Sequence, residues 1–511
     1  MAELNMLENY KVRSIDLFPN DALTGRRKIK TCVSEITEAN VRDVVNEALP
    51  KQMANAAEIT YLWDYYRGKQ DIRKKEKFYR KNINNKVTVN RANEIVTFKT
   101  AYLLNEPIQY ISHGKGKSTK IAKLNEFMRA EDKASHDKEI VDWMHICGVA
   151  ERLVLTDKMA GEENGAPFYI YTLDPREAFG IYSAGVGEKT MAGVVIRYDD
   201  DGQMFTEVWT ENRKYTVTND SVTFEAHSLG GIPLIEYENN MARMGAFETV
   251  ITVLNAINQL ESDAVDSVQD FVNGFDVFKN CDIEEGDYQD LAVGGKAVKI
   301  RTIVQGMEAD VYRVTSELNQ AGVQQRIDNM TEEYLTICGM PNRNGGSSTS
   351  DTGQAVIFRD GWSEAESRAK DSEKFFVRSE RRFLRVVLNI CAAQTDDSMS
   401  LGNLDLKDIG VNFARKSLNN LQSRFQCLME GLNSNKIHPE LLFNAFGDVF
   451  GDKATAYQMS MQYQEEVERK QEEQLEKELD NERERISGNA GTSTTVQTGE
   501  QVDKAPDREN E

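Results

Sequence analysis

The stretch NKVTVNRANEIVTFKTAYLLNEPIQY, from Asn85 to Tyr110, carries the densest pattern in the chain. An apolar run leads into a polar turn at Asn105-Glu106, Pro107 follows, and no side chain in it has obvious catalytic chemistry. The run predicts a helix packed on its apolar face, with the chain turned at Pro107, where a helix cannot continue. Its strongest signal is therefore architectural.

Upstream, residues 38 to 82 read as helix ending in the basic stretch RKKEKFYRKN. Downstream, from Gly148 to Tyr237, the segments ERLVLTD, PFYIYTLD, AGVVIRYDD, MFTEVWT, RKYTVT and SVTFEAH are short β-type runs. Turn signals such as Asp201-Gly202 and Gly230-Gly231 separate them, which predicts an antiparallel α+β region. A helical pattern then runs from about Gly245 to Asn273, with Phe247, Val250, Ile251, Leu254, Ile257, Ala264, Val268 and Phe271 at three/four spacing. Glu248, Glu261, Asp266 and Asp270 lie largely off that stripe. Such a helix would extend roughly 40 Å.

A short β-like insert follows, and a second helix starts near Ser316 and stops at Gly339-Met340-Pro341, glycine past the last turn with proline behind it. PNRNGGSSTSDT, Pro341 to Thr352, is a flexible loop by composition, and another long helix opens after it. Beyond Val411 the pattern is helical again, with Leu418, Leu421, Phe425 and Met429 on one stripe, continuing into the mixed-charge run QEEVERKQEEQLEKELDNERER. From Ser487 the chain loses its large apolar residues apart from Val496 and Val502, which predicts disorder. Two long helices bracketing a small β tip would expose their flanks in an isolated copy, and neighbouring copies in a ring would cover them.

At 511 residues, with 40% hydrophobic and 28% charged residues, the chain reads as a soluble globular protein of several domains. No run of about 18 apolar residues appears, so no membrane span is expected. The first residues lack the layout of a signal peptide. Six cysteines stand singly with no C-x-x-C pair, which implies reduced, mostly buried thiols rather than a zinc site or disulfide framework. A net charge of -21 repels nucleic acid at long range and argues against a sequence-specific DNA binder, without forbidding DNA to pass close by.

Catalytic motifs fail one by one. HGKGKSTK at His113 to Lys120 matches the end of a phosphate-binding loop, but Ile111 stands where its first glycine belongs, so a solvated Lys/Gly loop is expected. RYDDDGQ at Arg197 to Gln203 lacks the alternating ligands of a calcium loop and reads as a hairpin turn. The five histidines show no metal spacing, and His145 reads as packed. No short carboxylate constellation stands out for a two-metal nuclease, although composition alone leaves one open. GGKAVKIR, Gly294 to Arg301, alternates in part. It reads first as a half-buried hairpin with solvated lysines, and second as a basic rim of Lys296, Lys299 and Arg301 touching DNA or a partner.

With these residues in view, YYRGKQDI (Tyr65 to Ile72) and the Asn85 to Tyr110 stretch resemble the portal proteins of tailed double-stranded DNA bacteriophages, of the headful-packaging, long-tailed type. LDPREAFGIY (Leu173 to Tyr182), LGGIPLIEYENN (Leu229 to Asn240), DTGQAVIFR (Asp351 to Arg359) and GLNSNKIHPELLFNAFGDV (Gly431 to Val449) follow in the family's order. The resemblance covers roughly residues 55 to 460 and rests on order and spacing. Asn105 departs from the family's usual glycine, and asparagine tolerates the left-handed backbone a turn could require there. Thr97 stands where aspartate is common.

The resemblance implies an α+β portal fold. Residues 1–45 would be an N-terminal segment, 46–244 an α/β wing, 245–273 and 316–340 the stem helices, and 274–315 a small β-containing clip. Residues 341–352 would be the tunnel loop, 353–400 a long helix returning to the wing, 401–486 a helical crown and 487–511 a disordered tail. The Asn85 to Tyr110 helix would pack on the wing sheet. Twelve copies would form a ring at one capsid vertex, the channel through which DNA is packaged and ejected, assembled in the host cytoplasm and resident in the virion. Its partners would be the terminase large subunit, the head-completion connector, scaffold and major capsid proteins. It would have no membrane contact, no cofactor, no metal and no catalytic residue. Glu261, Asp266 and Asp270 facing the channel would leave DNA weakly held, and Asn342, Arg343, Asn344 and Ser347 in the tunnel loop could touch phosphates. The alternatives are a metal-dependent nuclease of the packaging system and a non-ring scaffold.

Overall fold

Pro50 divides the first long helix by function. Strand β1 (Ile29–Thr31) leads to α1 (Val41–Tyr66), whose Val41, Val44, Val45 and Ala48 are buried against a sheet, while Ile59, Leu62 and Tyr65 are buried among helices. Proline removes an intrahelical hydrogen bond, so the change of packing partner falls where the helix is weakest. The structure, a computed structural model, describes residues 25–78, 81–113, 117–156, 165–272, 275–282, 301–303, 310–314, 320–342, 361–396, 398–413, 421–433 and 453–489. The chain divides into two units, residues 1–424 and 425–511. The helix expected over 38–82 ends at Tyr66: Gly68 turns the backbone at φ +85°, and beyond a 3-10 turn, Asp71–Lys74, the path to Asn90 has no helix among the described residues.

The opening stretch forms α2 (Arg91–Leu103), capped where the Asn93 N–H donates to Asn90 Oδ1 at 3.3 Å. Ala92, Ile95 and Val96 are buried among α1 and later helices, while Leu103 at the far end belongs to the core that also holds the strand residues Leu153, Ile170 and Ile235. Asn105 does not adopt a left-handed conformation either, so the turn needs no glycine there. Past Pro107, β2 (Gln109–Ser112) pairs with a strand from far along the chain, Ile409–Asn412.

Helices α3 (Ser118–Ala130) and α4 (Lys133–Cys147) precede β3 (Val149–Leu155) and β4 (Tyr169–Leu173). Strands β5 (Ala178–Ser183), β6 (Thr190–Tyr198), β7 (Met204–Trp209), β8 (Arg213–Val217) and β9 (Val222–Ala226) extend from β1 in one six-stranded sheet. Only the β1–β5 pair is parallel there; the rest is a meander. The β6–β7 turn is the one read from RYDDDGQ: the Gln203 N–H donates to Asp199 Oδ1 at 2.7 Å, and Gly202 takes φ +74°. A second sheet, β10 (Leu234–Glu238) with β3 and β4, meets the first at Gly193, where an added Cβ would overlap Leu234.

A 3-10 turn, Glu248–Val250, opens α5 (Ile251–Val272). Strands β11 (Phe275–Lys279) and β14 (Asp310–Val314) pair antiparallel, as do β12 (Cys281–Asp282) and β13 (Arg301–Thr302), and α6 (Gln320–Cys338) returns. α7 (Trp362–Ala393) then crosses the second sheet, and β15 (Ile409–Asn412) closes onto β2. Under α7, Lys133 Nζ lies 2.5 Å from Asp137 and 2.9 Å from Glu380, and Arg152 lies 2.5 Å from Asp137 and 3.3 Å from Glu380. Tyr110 and Tyr237 hydroxyls donate to Glu380 at 2.5 and 2.6 Å. Two cations balance two carboxylates, which is what allows the group to be buried.

The architecture is α+β. The second unit contains most of α8 (Leu421–Asn433) and α9 (Lys453–Asn489). Of the cysteines with described side chains, Cys147, Cys338 and Cys391 are buried whereas Cys32 and Cys427 are exposed.

Candidate functional site

α5 and α6 share one apolar seam. Ile251, Leu254 and Ile257 pack with Ile327, Tyr334, Leu335 and Cys338, and the Cys338 thiol points at the Ala246 carbonyl at 3.6 Å, so the end of α6 lies beside the start of α5. α6 stops in a Schellman turn: the Gly339 N–H donates to the Thr336 carbonyl at 3.0 Å and the Met340 N–H to that of Leu335 at 2.8 Å, with Gly339 at φ +64°.

A second face of α5 is polar and equally occupied. Asn255, Asn258, Ser262, Asp266 and Gln269 recur at three/four spacing and hold Tyr65, Asn85, Val87 and Val89 against the helix. Tyr65 donates to Asn255 at 2.9 Å, the Val89 N–H to Asn258 Oδ1 at 2.8 Å, and the Val87 N–H to Ser262 Oγ at 3.0 Å. Asp266 accepts from the Asn85 N–H and Nδ2, both at 2.7 Å, and pairs with Lys75 at 2.8 Å and Lys77 at 2.6 Å. Burial alone would raise its pKa, yet the Lys75, Lys77 and Asn85 hydrogen bonds outweigh it and hold the carboxyl well below the usual range. The expectation that Asp266 faces a channel is therefore corrected. It is 1% exposed, because the irregular strap has backbone N–H groups with no sheet to join and the helix supplies their acceptors.

The other expected residues separate. Glu261 is half-buried, and Arg91 feels it together with Glu94: against its own partial desolvation that guanidinium is held above its ordinary range. Asp270 lies on α5 with its side chain outside the described residues. Asn342 is half-buried just past the α6 stop, while Arg343, Asn344 and Ser347 lie outside the described residues, as does all of the expected tunnel loop beyond Asn342. Arg301 stands opposite Asp282 in the β12–β13 pair; Lys296 and Lys299 lie outside the described residues, as does most of the expected tail. The structure brings no two of these expected residues into contact among the described side chains.

Sequence reading missed the residues that brace the helix pair. At the base of α5, Arg26 lies 2.9 Å from Glu58 and 3.2 Å from Glu248. Arg243 joins Glu236 and, at 3.0 Å, Glu238; burial, with Glu236 beside it, pushes the neighbouring Glu151 carboxyl well up. One signal was available for α5: short hydrogen-bonding side chains at helical spacing, where a solvated face would carry Lys and Glu. The lysines and arginines that complete the groups come from distant segments and carry no local signal.

His145 is packed, 3.1 Å from Thr100 Oγ1, and burial drives its pKa down to about 3, so it is neutral. Among the described residues no group of three His, Cys, Asp or Glu side chains is placed to hold a metal ion, and no helix is long and apolar enough to cross a membrane.

Beyond the seam, Val265 and Val268 continue the α5 stripe at 38% and 39% exposure, where the chain's own core no longer reaches. A family model described as phage portal protein, SPP1 Gp6-like, matches residues 49–478. No curated protein matches the chain.

Proposed function

Because the chain belongs to the phage portal proteins, SPP1 Gp6-like, we propose that twelve copies close into the ring and that α5 and α6 form its stem. Membership makes the protein a structural component of the phage capsid, a portal ring that channels DNA. The match over residues 49–478 carries this reading. In the finer reading, residues 46–244 are the wing, the β11–β14 region the clip that meets the terminase and later the connector, and 401–486 the crown.

Val265 and Val268 support a neighbour on the α5 flank, since an apolar stripe left in water is stabilised by covering it. With Asp266 clasped within its own copy, the fully exposed acidic groups along the pair, among the described residues, are Asp328, Glu332 and Glu333 on α6. Facing the channel, they would keep the phosphate backbone from settling and leave DNA free to slide. Asn342 and the loop residues Arg343, Asn344 and Ser347, with Lys296, Lys299 and Arg301 at the clip, remain the proposed transient contacts. No observation favours the nuclease or the non-ring scaffold. Negative-stain images of the purified protein should show end-on rings with a central opening; solitary particles at every salt and protein concentration would overturn the proposal.

A further inference from the structure

Arg381, Arg382 and Arg385 are exposed on α7 and, among the described residues, have no carboxylate partner. That is unusual in a chain of net charge -21, where acids are in excess. Arg382 and Arg385 line a depression of about 820 Å³ between α7, the loop entering β10 and the ends of β6 and β8. Half-buried Met191 and Ile232 give it an apolar lining over buried Leu234 and Val386, and Lys189 and Arg213 add two more cations, Arg213 stacked 5.0 Å over Phe224.

The acids around it are mostly committed elsewhere. Glu188 pairs with Lys28 at 3.3 Å and Lys30 at 2.5 Å, Glu211 with Lys189 at 3.8 Å, and Glu236 with Arg243. Glu35 is the remaining carboxylate of the lining. Guanidinium forks match carboxylates in bidentate geometry, and an apolar lining beside them selects a ligand with apolar side chains as well.

We propose that this groove docks an acidic, amphipathic protein segment, its carboxylates on Arg382 and Arg385 and its apolar side chains against Met191 and Ile232. Duplex DNA fits the groove worse. Its charge is continuous, about one phosphate per 1.7 Å of axis, so it would meet the rim acids Glu35, Glu188 and Glu211 and a chain of like charge. A peptide can space its acids to match two arginines.

The test is fluorescence anisotropy on the full chain with a short fluorescein-labelled peptide of repeating Glu-Glu-Leu. The peptide should bind, more weakly as salt rises, and should bind more tightly than an all-Glu peptide of equal length. Arg382→Glu with Arg385→Glu should weaken binding by about tenfold or more. Arg381→Glu, which changes charge outside the groove, should leave binding within about twofold of the unmodified chain. If charge reversal lowers the melting temperature, Arg382→Gln with Arg385→Gln should give the same ordering. Absence of peptide binding, equal binding by the double variant, equal binding of the all-Glu peptide, or displacement of the peptide by a short DNA duplex would each overturn the proposal.

Discussion

Asp266 shows how one side chain can be read correctly as polar and wrongly as open. It takes two hydrogen bonds from Asn85 and pairs with Lys75 and Lys77. Asp266→Asn keeps an acceptor for Asn85 and removes the charge, leaving Lys75, 7% exposed at its side chain, with Asp263 at 2.8 Å as its remaining carboxylate. The expected cost is about 1–3 kcal/mol by urea denaturation, the range for lost hydrogen bonds to a charged group, because Asp263 still pairs with Lys75 and Lys77 keeps access to water. Since the folded pKa lies below the unfolded value, the charge contributes fully above about pH 4 and is lost as pH falls below it. The stability gap between native chain and variant should therefore close in acid. A gap that stays constant from neutral pH to pH 3 would show that charge is not what holds the strap.

At the scale of elements, the two sheets approach at a position with no side chain. Gly193 lies against Leu234 so closely that a Cβ would overlap it. Gly193→Ala should cost about 1–3 kcal/mol by overpacking, and Leu234→Ala about 2–5 kcal/mol by the cavity it leaves. If the overlap is the cause, the double variant should be less destabilised than the sum by about 1 kcal/mol or more. Additive costs would mean that Gly193 is required for another reason. α1 and α5 each serve two environments in one helix: α1 on either side of Pro50, and α5 on an apolar seam and a hydrogen-bonding face. Periodicity identifies such faces but not what covers them.

For the whole molecule, assembly has to overcome repulsion between copies of charge -21, so a ring needs apolar area to bury. Val265 and Val268 offer it. Val265→Asp with Val268→Asp should leave each copy folded, with stability within about 0.5 kcal/mol, because both sites face water in the single chain. Rings should fail to form, as light scattering and electron microscopy would report. Rings as abundant as those of the unmodified protein would place the contact elsewhere.

The amino-acid sequence by itself determined the elements whose causes are local: the α6 stop at Gly339, the Asp199–Gln203 hairpin, the β runs between Gly148 and Tyr237, and the helical period of α5. Motif order carried the family reading as well. Only the tertiary structure decided that Ala92, Ile95 and Val96 of α2 pack among helices, that β2 pairs with β15, and that the polar side of α5 is clasped by Lys75, Lys77 and Asn85 rather than open to a channel. The reason is range. Caps, turns and periods arise among residues a few positions apart, whereas Asp266 and Asn85 are 181 residues apart in the chain, and their meeting depends on how every element between them packs.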